Sequence, residues 1–446
     1  MKHSKIRFSH TQVIALGFFI IISVGTVLLM LPAATKNGQG ATFTEALFTA
    51  TSASCVTGLV QQDTFLYWTG FGQAVILLLI QLGGLGFMTI STFFALALRK
   101  SLGLRQREIL SESINSTQLG GILALTKLII RGTVIIELLG TAILATRFIP
   151  LFGVGEGLWC SLFHSISAFC NAGFDLMGRY GAYSSFVPVY NDPVINITIM
   201  ALIIIGGLGF LVWHDIIVYR FHLRRYKLHS KIVLFTTAIL IFGGAVLFFI
   251  VEYNASSAGF GLGERTMAAF FNSVTSRTAG FNTVDLASMS DCGKLLMIIL
   301  MFIGGSPGST AGGIKTTTMA VMLLCAFSHM RQTRGPEIFG RRLEDDALHK
   351  ASAVFFTNLS LSLAAAFIIC AIDALPPLDV LFECFSAGAT VGVTVGITRS
   401  LSLVSKYILI FLMFCGRVGS LSFASALAAK KVPAPVTCPI EKITIG

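Results

Sequence analysis

Long apolar stretches alternate with short ones along the chain. Long runs fall at roughly 11–34, 70–98, 120–149, 192–219, 231–253, 291–328, 349–372 and 401–429. Between the two members of each pair lies a shorter apolar segment, at about 43–54, 157–169, 264–276 and 379–388. A helix rises about 1.5 Å per residue, so about 20 residues are needed to cross roughly 30 Å of hydrocarbon. The long runs reach that length. The short ones do not, and suit re-entrant helices that dip in and stop. Each unit is therefore expected to run long helix, short helix, non-helical loop, long helix, four times over.

The loops after the short segments share a glycine. They are SCVTGLV (Ser54 to Val60), CNAGFD (Cys170 to Asp175), SRTAGFN (Ser276 to Asn282) and GATVGVT (Gly388 to Thr394). The glycines Gly58, Gly173, Gly280 and Gly392 are 115, 107 and 112 residues apart. A period near 110 residues is the mark of an internal repeat and outranks any single motif. A second set of glycines follows in the closing run of each unit: QLGGLGF (Gly83, Gly84), IIGGLGF (Gly206, Gly207), FIGGSPG (Gly304, Gly305) and CGRVG (Gly416).

Irregular backbone at membrane depth leaves N–H and C=O groups that lipid cannot satisfy. It is tolerated only inside protein or along a water-filled path. Four such loops from four similar units can meet at one axis and present carbonyl oxygens to a passing ion in place of its hydration shell. Glycine reaches backbone conformations closed to other residues, and small neighbours let four strands crowd together. Each short helix begins near an acid, Glu45, Glu156, Glu264 or Asp379. Acids suit the positive end of a helix dipole, so the negative end of each helix would face the loops and favour a cation.

Composition fits a chain solvated by lipid. Of 446 residues, 54% are hydrophobic and 12% charged, against about 25% charged in a typical soluble domain. The formal net charge of +11 is concentrated in clusters: Lys2, Lys5 and Arg7; Arg99, Lys100, Arg105 and Arg107; Arg220, Arg224, Arg225, Lys227 and Lys231; Arg331, Arg334, Arg341 and Arg342; Lys430 and Lys431. Eight crossings return every cluster to one side, the cytoplasm by the positive-inside rule, so nucleic acid is not needed as a partner. The nine cysteines form no C-x-x-C and are expected to be small buried hydrophobes. The first run is longer than a signal-peptide core and is expected to be a retained transmembrane helix.

The four-fold helix–pore–helix plan, with VTGL, CNAGF, TAGFN and TVG in the loops, resembles the Trk/Ktr/HKT superfamily of potassium transporters. It looks most like the bacterial Ktr membrane subunit, over essentially the whole chain. The resemblance implies an all-α integral membrane fold: four pseudo-fourfold helix–pore-loop–helix repeats around a central pore, with eight transmembrane crossings plus four re-entrant pore helices. Residues 1–10 would be a cytosolic N-terminus; 11–100, 101–228, 229–330 and 331–432 the repeats; 433–446 a C-terminal tail. The filter carbonyls would come from Val56, Thr57 and Gly58; Asn171, Ala172 and Gly173; Thr278, Ala279 and Gly280; and Thr390, Val391 and Gly392. These would bind K⁺ as the only metal, and the chain would be no enzyme.

In the third unit GGSPGSTAGGIKTTT (Gly304 to Thr318) interrupts a crossing. Glycine and proline at this density break a helix. The resemblance implies an intramembrane loop that obstructs the pore and moves aside, with Gly304, Gly305, Gly308, Gly312, Gly313 and Lys315 in it and Arg417 at its level. Arg417 could pair with the loop, repel ions, or only satisfy buried carbonyls. The P-loop pattern fails here, because Ile314 separates Gly313 from Lys315 and no strand precedes. Arg277 reads as a strut for its loop, His164 as a packed histidine, and Lys127, Arg131 and Glu137 as structural.

The resemblance further implies a homodimer in the cytoplasmic (inner) membrane, multi-pass, with both termini cytosolic. It implies a cytosolic ring of nucleotide-binding regulatory subunits, with ATP/ADP or NAD on that partner and no cofactor on this chain beyond potassium and possibly sodium ions. The alternative is a coupled secondary carrier, a Na⁺- or H⁺-linked symporter for a cation or other solute. Such a carrier should show inverted repeats and a midplane charged site, whereas these repeats are parallel.

Overall fold

The computed structural model describes residues 10–86, 108, 122–220, 222–332, 335–344 and 346–419. Several basic residues (Lys2, Lys5, Arg7, Arg99, Lys100, Arg105, Arg107, Arg334, Lys430 and Lys431), the far ends of the 70–98 and 401–429 runs, and the 433–446 tail lie outside the described residues.

Each unit opens with a long helix and a short one. The first has α1 (His10–Leu29), α2 (Phe43–Ser54) and α3 (Gly70–Leu85). The second has α4 (Ile122–Phe152), α5 (Val154–Phe169), α6 (Pro193–Gly207) and α7 (Phe210–Tyr219). The third has α8 (Leu228–Val251), α9 (Leu262–Thr275), α10 (Asp291–Phe302) and α11 (Thr316–Met330). The fourth has α12 (Ala347–Asp373), α13 (Pro377–Gly388) and α14 (Leu403–Val418).

Within each unit the long and short helices pack together: α1 on α2, α4 on α5, α8 on α9, α12 on α13. Between units, the helix that follows each loop packs on the next unit's short helix. These pairs are α3 on α5, α6 on α9, α10 on α13, and α14 back on α2. The last contact closes a circle. It is made of apolar side chains, with Phe48 and Leu59 of the first unit sharing a buried cluster with Val380, Leu409 and Met413 of the fourth.

Among the described residues, four helices are long and apolar enough to cross a membrane: Gln12–Leu29, Leu123–Phe152, Leu228–Val251 and Ala347–Asp373. They are the first helix of each unit. The closing runs behave differently. The 192–219 stretch, expected as one crossing, is two helices bent by 97°. The bend lies at Gly209, whose φ is +93°, in a region that only glycine enters cheaply. Where they leave the described residues, α3 and α14 likewise stop at left-handed glycines, Gly86 (φ +78°) and Gly419 (φ +94°). In the third unit the corresponding position is Pro307.

The first glycine of each of these motifs has a packing role. A methyl added to Gly83 would overlap the carbonyl oxygen of Ser54, one on Gly206 that of Phe169, and one on Gly416 that of Gly388. The bare backbone therefore lets the short helix of the first, second and fourth units end against the following helix of its own unit, while Gly304 of the third faces the carbonyl of Gly312. Two small corrections to the expected outline stand out. The gate segment is helical from Thr316, so Thr316 to Thr318 are the first turn of α11. A two-stranded hairpin, β1 (Glu337–Ile338) with β2 (Arg341–Arg342), departs from an all-α outline. Its two-residue turn, Phe339 and Gly340, has positive φ at both positions, the twist that suits adjacent antiparallel strands.

Gly206→Ala should lower the melting temperature of the detergent-purified protein, because overpacking a filled site costs about 1–3 kcal/mol. Gly243→Ala, on α8 with nothing within 4 Å of the added methyl, should leave it unchanged or slightly raised. Equal melting temperatures for both variants would contradict this packing account.

Candidate functional site

The short helices share a design. The first-turn acids predicted from the sequence are all present, and each has a partner. Glu45 Oε2 accepts from the Thr42 N–H at 3.0 Å and its Oε1 from Gln62 Nε2 at 2.6 Å. Glu156 pairs with Arg179 at 2.8 Å, Glu264 accepts from the Gly261 N–H at 2.9 Å, and Asp379 pairs with Lys294 at 2.8 Å. Burial alone would raise the Glu45 carboxyl, but hydrogen bonds from Thr42, Gln62 and Tyr67 outweigh it and hold it below the usual carboxylate value. The positive helix ends thus carry negative charge, and the negative ends run toward the loops.

At those C-terminal ends the backbone turns in one pattern four times. A non-glycine residue with positive φ is followed, two positions on, by a glycine with positive φ: Val56 and Gly58, Asn171 and Gly173, Thr278 and Gly280, Thr390 and Gly392. Left-handed backbone is costly for Val and Thr, and persists only where the surroundings enforce it. A hydroxyl of the preceding helix supplies part of that enforcement. Ser52 Oγ accepts from the Gly58 N–H at 3.1 Å, and Ser386 Oγ from the Gly392 N–H at 3.0 Å. Ser386 also donates to the Val393 carbonyl at 2.7 Å, Ser167 to that of Phe174 at 2.7 Å, and Thr275 to that of Phe281 at 2.5 Å. These hydroxyls were not among the sequence-derived candidates. Their signal was legible: Ser52, Ser167 and Ser386 each stand six residues before the shared glycine.

The four loops meet. A methyl on Gly58 would lie 2.6 Å from the carbonyl oxygen of Ala172, one on Gly173 2.9 Å from that of Ala279, and one on Gly280 2.7 Å from that of Val391; one on Gly392 would overlap that of Thr57. Each glycine faces the carbonyl of the next loop in order, and the fourth returns to the first. Thr57, Asn171, Ala172, Thr278, Ala279, Thr390 and Val391 are all buried, as is Val56. The hydroxyls of Thr57, Thr278 and Thr390 have no hydrogen-bond partner among the described residues. On one side the four glycines floor a cavity of about 140 Å³, which Asp175, Asp285, Asn282 and Arg399 also line. Arg399 stacks on Tyr183 at 3.9 Å.

The interrupted segment of the third unit contacts the other units around it. Ser306 N–H donates to the Gly207 carbonyl at 3.0 Å, and Phe210 N–H to that of Gly308 at 2.7 Å. Thr310 Oγ1 donates to the Phe169 carbonyl at 3.1 Å. A methyl on Gly313 would lie 3.0 Å from the Ala389 carbonyl, and one on Gly312 would overlap Thr390 Oγ1. Gly304 and Gly305 are buried against the same segment, near Gly312 and Ala311. Lys315 Nζ turns back to the Ala311 carbonyl at 2.7 Å. Arg417 donates to the carbonyls of Thr310, Gly83 and, at 3.0 Å, Gly84. It therefore ties the fourth unit to both the third-unit loop and the first unit, pairing with the loop and satisfying buried carbonyls at once.

The remaining charged candidates stand apart from the ring. Arg277 points away from it, toward Thr237 Oγ1 at 3.3 Å on α8. Lys127 and Arg131 are exposed, and Glu137 is buried beside Gln81 Nε2 at 3.3 Å. His164 is packed, and also bonded: its Nδ1 meets the Cys160 carbonyl at 2.8 Å, and its Nε2 accepts from the Leu176 N–H at 3.1 Å.

The chain is similar to known proteins over nearly all of its length. The TrkH model, described as cation transport protein, matches residues 2–437. The potassium/sodium uptake protein NtpJ of Enterococcus hirae is 40% identical over all of this chain and 99% of its own length. The Ktr system potassium uptake protein B of Bacillus subtilis is 40% identical, over 95% of this chain and 94% of its own. The crystal structure of the potassium transporter TrkH from Vibrio parahaemolyticus superposes with a TM-score of 0.71 at 17% identity, covering 96% of this chain and 86% of that one, which is a likeness of fold. With its ring of glycine-bearing loops and a family match spanning nearly its whole length, this helical membrane chain belongs to the TrkH family of cation transport proteins.

Proposed function

We propose that this chain takes up K⁺ across the cytoplasmic membrane through the ring of four loops. The observation that carries the reading is the cyclic approach of each shared glycine to the carbonyl oxygen of the next loop. Four loops this close bring their carbonyls together, and backbone carbonyls are the ligands that replace potassium's water. Buried threonine hydroxyls without protein partners add oxygen atoms whose needs water or an ion would meet. The twelve residues from Val56–Gly58, Asn171–Gly173, Thr278–Gly280 and Thr390–Val391–Gly392 form the filter. K⁺ is cargo, drawn inward by the membrane potential. The relatives named for potassium uptake and for potassium/sodium uptake support this choice of ion.

On this reading the four units are pseudo-fourfold repeats around the pore, with the eight crossings expected from the sequence. The segment from Gly304 to Lys315 is the gate. It is held by Arg417 of the fourth unit and by carbonyls of the second. Both termini are cytosolic. We propose further that the chain works as a homodimer with a nucleotide-binding cytosolic ring docked on its basic loops; the relatives named as proteins of a Ktr system support only its membership of a multi-component system.

Gly392→Ala tests the ring. The residue has φ +93° and no room for a methyl, so strain of about 1–3 kcal/mol falls on the filter. Uptake of ⁸⁶Rb⁺ by a strain lacking other potassium systems should drop about tenfold or more, equivalent to ~1.4 kcal/mol, with the protein still present in membranes. Undiminished uptake would end the proposal. Arg417→Gln tests the gate. Hydrogen bonds to a charged group are worth about 1.5–3 kcal/mol each, and three would be weakened. Potassium flux into liposomes holding this chain alone should rise several-fold over the parent, measured with and without Na⁺; unchanged flux would make Arg417 purely architectural.

A further inference from the structure

In the fourth unit the strand leaving the ring is held by a carboxyl from within its own short helix. Glu383 lies on α13, nine residues before Gly392, and is buried. Its Oε2 accepts from the Thr394 hydroxyl at 2.8 Å, and its Oε1 from the Thr398 hydroxyl. The two hydroxyl oxygens are 3.0 Å apart, and Thr394 Oγ1 also accepts from the Gly396 N–H at 2.9 Å. Thr394 is only two residues past the ring glycine, so this tether ends almost at the ring.

The same position in the other units is Thr49, His164 and Phe271, each nine residues before the shared glycine. His164 performs a similar task, since its Nε2 accepts from the Leu176 N–H, three residues past Gly173. Thr49 has no hydrogen-bond partner for its hydroxyl, and Phe271 offers only carbon. All four units share the hydroxyl at the helix end, but among the described residues only two carry this second tie. The ring is thus braced unevenly, and most strongly in the fourth unit, where a carboxyl gathers two side chains rather than one N–H.

We propose that Glu383 is a positioning residue that sets the discrimination between K⁺ and smaller cations at the ring. The inference rests on the ion-conduction reading above. A ring of carbonyls rejects Na⁺ only while its oxygens keep the spacing and number that suit the larger ion. Strand 392–394 can follow a smaller ion inward only if Thr394 moves, and Thr394 is fixed to Glu383. The carboxyl touches no ion itself; it acts through the strand.

The test compares K⁺ and Na⁺ flux into liposomes containing the parent chain, Glu383→Ala, Glu383→Gln and Thr398→Val, with elution volume and melting temperature recorded for each. Glu383→Ala should lower the K⁺ to Na⁺ flux ratio about tenfold, equivalent to ~1.4 kcal/mol. Glu383→Gln, which still offers one acceptor and one donor, should stay within about twofold of the parent. Thr398→Val keeps the carboxyl but removes one of its partners, and should fall between. It also carries the test should Glu383→Ala fail to fold. A well-folded Glu383→Ala with the parent's ratio overturns the inference while leaving ion conduction intact. So does a parallel loss of both fluxes that tracks the amount of folded protein. The parent chain and the gate variant Arg417→Gln both passing neither ion would overturn the conduction reading itself.

Discussion

The structure depends on how closely four pieces of backbone can approach without side chains between them. Each shared glycine faces a carbonyl oxygen of the neighbouring loop at a distance where a single methyl would collide. That spacing dictates much of the rest. It demands left-handed backbone at two positions per loop, which the hydroxyls of Ser52, Ser167, Thr275 and Ser386 help to hold. It also requires the supporting helices to converge, which they do by laying each post-loop helix against the next unit's short helix until α14 meets α2.

Close approach recurs one layer away. Gly83, Gly206 and Gly416 let the ends of short helices rest on the helices behind them. Side-chain volume is removed where backbones must touch, and restored around the outside, where phenylalanines such as Phe48, Phe163, Phe271 and Phe382 are fully buried. Unpaired charge is kept out of the centre. Arg277 turns outward to a threonine, while Arg417 and Lys315 are satisfied by carbonyls of the segment beneath the ring. On the proposed conduction reading, the negative ends of four helices and the peptide oxygens supply the field for a cation.

Much of this was legible in the sequence, because its physics is local. The short helices at 43–54, 157–169, 264–276 and 379–388 came within a few residues of their observed bounds, since length against membrane thickness and a first-turn acid are both visible in a string. The meeting of the four loops followed from the period of the glycines. The interruption after Gly304 followed from glycine and proline density. The bend at Gly209 did not. GGLG sits inside an apolar run, where hydropathy outweighs one glycine, and only the contact with Gly308 from another unit explains why the helix turns there. The tethers of Glu383 and His164 were equally hidden, since nothing in the order of residues says that a carboxyl will find hydroxyls 11 and 15 positions away.

The sharp turn between α6 and α7 has a mechanical side. The helical ladder is already interrupted at Gly209, so rotating α7 about that point sacrifices no rung of α6. Yet the first N–H of α7, that of Phe210, is bonded to Gly308, and a methyl on Gly209 would sit 2.6 Å from the Pro307 carbonyl. A push on the far end of α7 must either snap that bond or drag Gly308 along, so α7 acts as a lever whose short arm ends in the interrupted segment of the third unit.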